Sequence, residues 1–247
     1  MSLCTDCVSG VRHEGTPEGK IEKIGGVESY IATPSGDYDK TKVVLFLTDV
    51  FGIPLSNNKL LADDFARNGY LTIVPDYLRG DPIPENALDA PGKFDIGTWF
   101  ARHGDDVWRE DLDKVVAALK TQGVTRFGTT GYCYGAPPAF YLAYNNISAV
   151  TVISHPSLLK PESIERYRDE SKVPLLINSC EVDSQFPPEF QAKTDEILKG
   201  FAPGYERVYW DGCTHGFAVR GDMSDPKVKA GKEGAFEAAV KFFKKHL

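Results

Sequence analysis

The sequence predicts an α/β fold with a mostly parallel central sheet and helices on both faces. Short apolar runs rich in Val, Ile and Leu alternate with stretches of helical period from residue 42 to the C-terminus. That alternation implies strand–helix units whose strands pair in parallel. Lys42–Leu47 is apolar at successive positions, as a central strand buried on both faces must be. Gly131-Tyr132-Cys133-Tyr134-Gly135 follows a Thr-containing apolar run and precedes small, helix-compatible residues. This is the G-x-nucleophile-x-G pattern of a strand–turn–helix elbow, with Cys in the nucleophile position.

Taken in order, residues 1–20 are polar and Gly-rich and read as an extended lead-in. Ile21–Thr33 alternates around Gly25-Gly26, which predicts an early β-hairpin. The strand Lys42–Leu47 ends in the loop Thr48-Asp49-Val50-Phe51-Gly52. Asn57–Asn68 places Leu60, Leu61 and Phe65 on one helical face, with Gly69 as its terminator. Leu71–Pro75 is the next strand and runs into Asp76-Tyr77-Leu78-Arg79-Gly80. Residues 81–104 are rich in Pro and Gly and hold Trp99 and Phe100, either as a rim above a site or as a solvated connection. Asp106–Gln122 is the clearest helix, with Trp108, Leu112, Val115, Val116 and Leu119 at helical spacing.

Beyond the elbow, strands are expected at Ala149–Ser154, Val173–Asn178 and Glu206–Trp210. Helices are expected at Ser163–Asp169, around Glu189–Lys199 and around Lys229–Lys245. Alternation continues on both sides of the Pro/Gly stretch at 81–97, which therefore reads as an insertion in a single domain spanning 1–247.

Composition excludes several classes. Of 247 residues 42% are hydrophobic and 26% charged, which suits a globular chain with a sizeable core. A net charge of −7 repels phosphate backbones, so no nucleic-acid partner is expected. No apolar run approaches a membrane span, and MSLCTDCVSG lacks the features of a signal peptide. The expectation is a soluble, cytoplasmic protein, monomer or homodimer. Five cysteines do not suggest a disulfide framework. Cys4 and Cys7 form a C-x-x-C, but no second pair or nearby His completes a zinc site, and no metal is expected.

Ligands of an open parallel sheet sit at the C-terminal ends of its strands. Four such ends carry useful chemistry. The elbow offers Cys133, the strand ending at Asn178 leads to Asp183, the last strand leads to His215, and the first central strand leads to Asp49 and the amide of Val50. The order nucleophile, acid, His matches a hydrolytic triad. In that role His215 takes the thiol proton and Asp183 holds the imidazole tautomer. The amides of Val50 and Tyr134 form an oxyanion hole. His155 ends the strand beside the elbow, where it either lines the pocket as a substrate contact or is structural. Cys180 and Cys213 are expected to pack.

Together Gly131-Tyr132-Cys133-Tyr134-Gly135, Asp183 and His215-Gly216-Phe217 resemble the dienelactone hydrolase family of α/β-hydrolases. His13-Glu14-Gly15-Thr16-Pro17 and the long C-terminal helix resemble its fungal branch. The resemblance implies a Cys-His-Asp triad that opens lactones or esters without a cofactor. A cysteine amidase or peptidase on the same elbow, and a non-catalytic binding or sensing protein of the same fold, are the alternatives. Two departures matter. Family members usually carry Glu where this chain has Asp49, a carboxylate that helps set the state of the thiol. Family arginines that hold a substrate carboxylate fall near Arg79 and at Val219, one residue before Arg220. Arg79 and Arg220 are accordingly the candidates for an anionic substrate, because a planar guanidinium binds a carboxylate bidentately. Their competing partners would be Asp81 and Asp222.

Overall fold

The computed structural model describes residues 14–85, 87 and 94–247. Most of the lead-in, including Cys4, Cys7 and His13, lies outside the described residues.

Eight strands form one sheet: β1 (Lys20–Ile24), β2 (Val27–Ala32), β3 (Lys42–Leu47), β4 (Thr72–Pro75), β5 (Arg126–Tyr132), β6 (Ser148–Ser154), β7 (Leu175–Val182) and β8 (Tyr205–Thr214). Their spatial order is β1-β2-β4-β3-β5-β6-β7-β8. β2 pairs antiparallel with both its neighbours, and the remaining pairs are parallel. The hairpin turns on Gly25 and Gly26, whose φ values of 60° and 87° need glycine.

Helices cover both faces. α1 (Ser56–Arg67), α7 (Phe217–Arg220) and α8 (Pro226–His246) lie on one side, while α3 (Asp105–Thr121), α4 (Ala136–Tyr144), α5 (Pro161–Glu170) and α6 (Pro188–Ile197) lie on the other. α2 (Ile96–Arg102) sits in the long connection after β4. The interior is built from β3, β5 and β6, whose Val44, Leu45, Phe46, Val150, Val152 and Ile153 are fully buried. Among the described residues no helix is long and apolar enough to cross a membrane.

Four elements differ from the sequence expectation. The stretch 81–104 contains α2, anchored by a buried Trp99 whose indole N–H donates to the Asp81 carbonyl at 2.7 Å. The one-turn α7 is too short to show a period. β7 and β8 both outrun their apolar cores, because pairing resumes beyond an irregularity after Cys180–Trp210 and ends in the Val182–Thr214 pair.

The chain turns outward from β3 to β4 on one side and to β5 on the other. The sheet's topological switch point therefore lies between β3 and β5, where open α/β sheets place their ligands.

Candidate active site

Register assembles the site. Leu47 pairs with Gly131 and Tyr132 with Ser154, so the residues that follow, Thr48-Asp49, Cys133 and His155, emerge side by side. On the far side, Val182 pairs with Thr214, which brings Asp183 beside His215. The His215 amide donates to the Val182 carbonyl at 3.0 Å and fixes that alignment.

The elbow itself is a 3-10 turn, Cys133–Gly135, between β5 and α4. Cys133 has φ of 50°, a conformation that costs free energy for any residue with a Cβ. Both flanking glycines have a steric reason. A Cβ on Gly131 would meet the Gly135 carbonyl oxygen at 2.5 Å, and one on Gly135 would strike the Leu47 carbonyl at the end of β3. The Cys133 thiol is 9% exposed and stands 3.6 Å from the Ser157 hydroxyl.

His215 Nδ1 lies 2.9 Å from Asp183 Oδ2, and the imidazole stands within electrostatic reach of the Cys133 thiol. Burial alone would disfavour the imidazolium. The hydrogen bond to Asp183 and the neighbouring Cys133 sulfur override that effect and push the His215 pKa up to about 10. Asp183 is itself held, its Oδ1 accepting from the amides of Gln185 at 2.8 Å and Phe186 at 3.1 Å. The Cys180 thiol donates to its Oδ2 at 3.8 Å.

The Val50 amide has no acceptor among the described residues, and the Tyr134 amide directly follows the thiol at the start of the elbow turn. Asp49 is fully buried. Its carboxylate accepts from Asn58 at 3.1 Å, from the Phe51 amide at 3.2 Å and from Arg220 Nε at 3.3 Å. Burial raises its pKa, opposed by the Arg220 charge and these hydrogen bonds.

The two arginines part company. Arg220 folds back over Gly216, where a Cβ would come within 2.8 Å of its Nη2, and its guanidinium lies 4.4 Å from the Phe51 ring centroid. Its competing partner was to be Asp222; the observed partner is Asp49. Its terminal amines have no protein partner among the described residues, and its side chain is 35% exposed. Arg79 corrects the sequence expectation. Its Nε and Nη2 bind Asp111 and its Nη2 also binds Glu110, both on α3. Asp81 pairs instead with Arg102.

His155 takes the structural of its two expected roles. It has no exposed surface, so it cannot line a pocket wall. Its ring packs against His215 at 5.1 Å and Phe217 at 5.6 Å, and neither ring nitrogen finds a partner among the described residues. Burial and the charges of His215 and Arg220 hold its pKa well below the usual histidine value. Trp99 is likewise buried as an anchor. Phe100, with Tyr134, Tyr141 and Leu158, lines a cavity of about 500 Å³ between α3, α4 and α5.

Sequence reasoning missed Ser157, Asn58 and Tyr77. The Tyr77 hydroxyl donates to the Thr48 carbonyl at 2.5 Å and its ring stacks on Tyr134 at 6.0 Å. Ser157 in His155-Pro156-Ser157 was within reach of a reading of strand ends, but Asn58 sits within a helix and carried no signal.

The comparisons agree with this architecture. The sequence profile of the Dienelactone hydrolase family matches residues 27–247. Hydrolase pyvD of Aspergillus violaceofuscus is 32% identical over 98% of this chain and 96% of its own length. Dienlactone hydrolase 1 of Gibberella moniliformis is 31% identical over 97% and 92%. A solved structure, the putative dienelactone hydrolase of Klebsiella pneumoniae, superposes with a TM-score of 0.71 at 20% identity, covering 89% of this chain and 93% of that one. A profile match over most of the chain, with relatives above 30% identity along more than 90% of their length, shows that this protein belongs to the dienelactone hydrolase family.

Proposed function

We propose that the protein hydrolyses a lactone or small carboxylic ester through a thiol acyl-enzyme formed on Cys133. The observation that carries this is the His215 imidazole, 2.9 Å from Asp183 and within electrostatic reach of the strained Cys133 thiol at the elbow. An imidazole whose protonated form is so well held is a ready acceptor of the thiol proton. The thiolate then attacks the carbonyl carbon, and the oxyanion is received by the amides of Val50 and Tyr134. Collapse expels the alkoxide, which takes the proton from His215. Water, deprotonated by the same imidazole, cleaves the thioester and restores the thiol. No cofactor enters these steps.

Asp49 is the thiol-modulating carboxylate in this scheme. It emerges beside Cys133 at the switch point, and a carboxylate there disfavours a neighbouring thiolate until substrate arrives. Arg220 is the reader of an anionic substrate, supported by terminal amines that lie over Gly216 with no partner among the described residues. The names of the fungal relatives favour a lactone as the substrate class.

The decisive test pairs alkylation with mutation. Iodoacetamide should abolish hydrolysis of an activated ester while labelling Cys133, and Cys133→Ala should be inactive. Full activity in Cys133→Ala would end the proposal, and faster turnover of matched amides than esters would reassign it to an amidase.

A further inference from the structure

We propose that Asn57 and Lys232 are positioning residues that hold the Arg220 guanidinium ready for a substrate carboxylate by clamping the peptide unit between Val219 and Arg220; the inference rests on Arg220 as the reader of an anionic substrate. The clamp is visible on both sides of that peptide. Its carbonyl, on Val219, accepts from Asn57 Nδ2 at 2.8 Å and from Lys232 Nζ at 3.2 Å. Its N–H, on Arg220, donates to the Gly216 carbonyl at 2.8 Å.

The three anchors come from three places. Asn57 lies in the first turn of α1, Lys232 in α8 and Gly216 at the start of α7. α7 is a single turn, Phe217–Arg220, and so short a helix leaves its last carbonyls without intrahelical donors. One-turn helices are soft, yet this one carries the arginine whose placement decides substrate charge. With the peptide fixed, the side chain is committed to fold back over Gly216, with Nε on Asp49 and the guanidinium against Phe51. Pre-ordering a long, flexible side chain removes an entropic cost that would otherwise fall on binding.

Lys232 is an unusual residue to use for this. It is 2% exposed, and burying an ammonium is costly unless it is paired. Burial pulls its pKa down, and the nearby Asp64 carboxylate opposes that shift. A charged donor binds the negative end of the α7 turn more strongly than a neutral one, which explains why a cation rather than a second amide reaches Val219.

The test compares an anionic ester with its neutral counterpart, the mono-p-nitrophenyl ester of succinic acid and that ester's methyl derivative. Asn57→Ala, Lys232→Met and Lys232→Arg are measured in the full chain beside Arg220→Ala. Lys232→Met and Asn57→Ala should each raise KM for the acid by about threefold or more, since small displacements of a binding group are costly. Both kinetic constants for the neutral ester should stay within about twofold of wild type, as expected when only carboxylate binding is lost. Lys232→Arg should recover part of the loss. In an Arg220→Ala background, Asn57→Ala should add nothing to the acid KM. Should Lys232→Met fail to fold, half-buried Asn57 still decides the matter. Equal losses on acid and ester, or a lowered Tm with an unchanged acid KM, would overturn the clamp while leaving Arg220 as the reader. If Arg220→Ala itself does not separate acid from ester, the carboxylate assignment falls and the clamp falls with it.

Discussion

The loops after β4 and β8 each present an arginine at the C-terminal edge of the sheet, and the two have opposite fates. Arg79 is tied to Asp111 and Glu110 on α3. Arg220 touches Asp49 through Nε alone and, among the described residues, keeps its terminal amines open over Gly216. Both were equally good candidates by position. What separates them is where their donors are already engaged, and that depends on which helix lies behind each loop. α3 presents carboxylates to the β4 loop. Behind the β8 loop, α1 and α8 present an amide and an ammonium that hold backbone rather than compete for the guanidinium.

The contrast predicts a large catalytic effect in one loop and none in the other. His215, on the β8 loop, should be the more damaging site: His215→Ala is expected to lower kcat by at least about 10²-fold, the scale of a lost acid–base group. Asp183→Asn should also be harmful, by favouring the wrong tautomer. A His215→Ala enzyme turning over at the wild-type rate would remove the β8 loop from the chemistry.

Next in size is the charge preference. Arg220→Ala should raise KM for an anionic ester at least about tenfold and leave its methyl ester nearly unchanged, the loss of charge-assisted hydrogen bonds. Arg79→Ala should leave both substrates alone and instead cost about 1 kcal/mol of stability, as expected for a half-exposed ion pair. Loss of acid selectivity in Arg79→Ala would reverse the comparison, and denaturant titration checks the stability half.

Asp49 extends the contrast to the thiol. Asp49→Asn removes the carboxylate that disfavours a neighbouring thiolate, so Cys133 should oxidise faster in dilute peroxide, read by mass spectrometry of the Cys133 peptide. Unchanged peroxide sensitivity would assign Asp49 to holding Arg220 alone.

The last effect concerns His155 and is read in stability, not in turnover. Its folded pKa lies well below 6.5, so below pH 6.5 the unfolded chain binds a proton that the native chain refuses. Stability should therefore be fully present above pH 6.5 and fall by about 1.4 kcal/mol per unit as pH drops below it. His155→Phe should flatten that acid limb in Tm measurements between pH 7 and 5. Equal slopes in the two proteins would place the proton elsewhere.

The α/β class, all eight strands and the elbow were legible in the residues, because apolar runs and glycines report local requirements. A strand buried on both faces has to be apolar throughout, and an elbow whose strand and helix nearly touch has to be flanked by glycine. Cys133, Asp183 and His215 were legible for the same reason: each directly follows a strand, and parallel strands bring their ends to one edge. The ends of β7 and β8 were not, because the register slips between Cys180–Trp210 and Val182–Thr214, and pairing across a bulge leaves no apolar trace. The partners of Arg79 and Arg220, the burial of His155 and the grip of Asn57 and Lys232 on Val219 were decided only by tertiary structure. A charged side chain carries no local pattern that says which carboxylate or carbonyl it will meet. That choice depends on which helices pack behind its loop, over sequence separations as long as the 171 residues between Asp49 and Arg220.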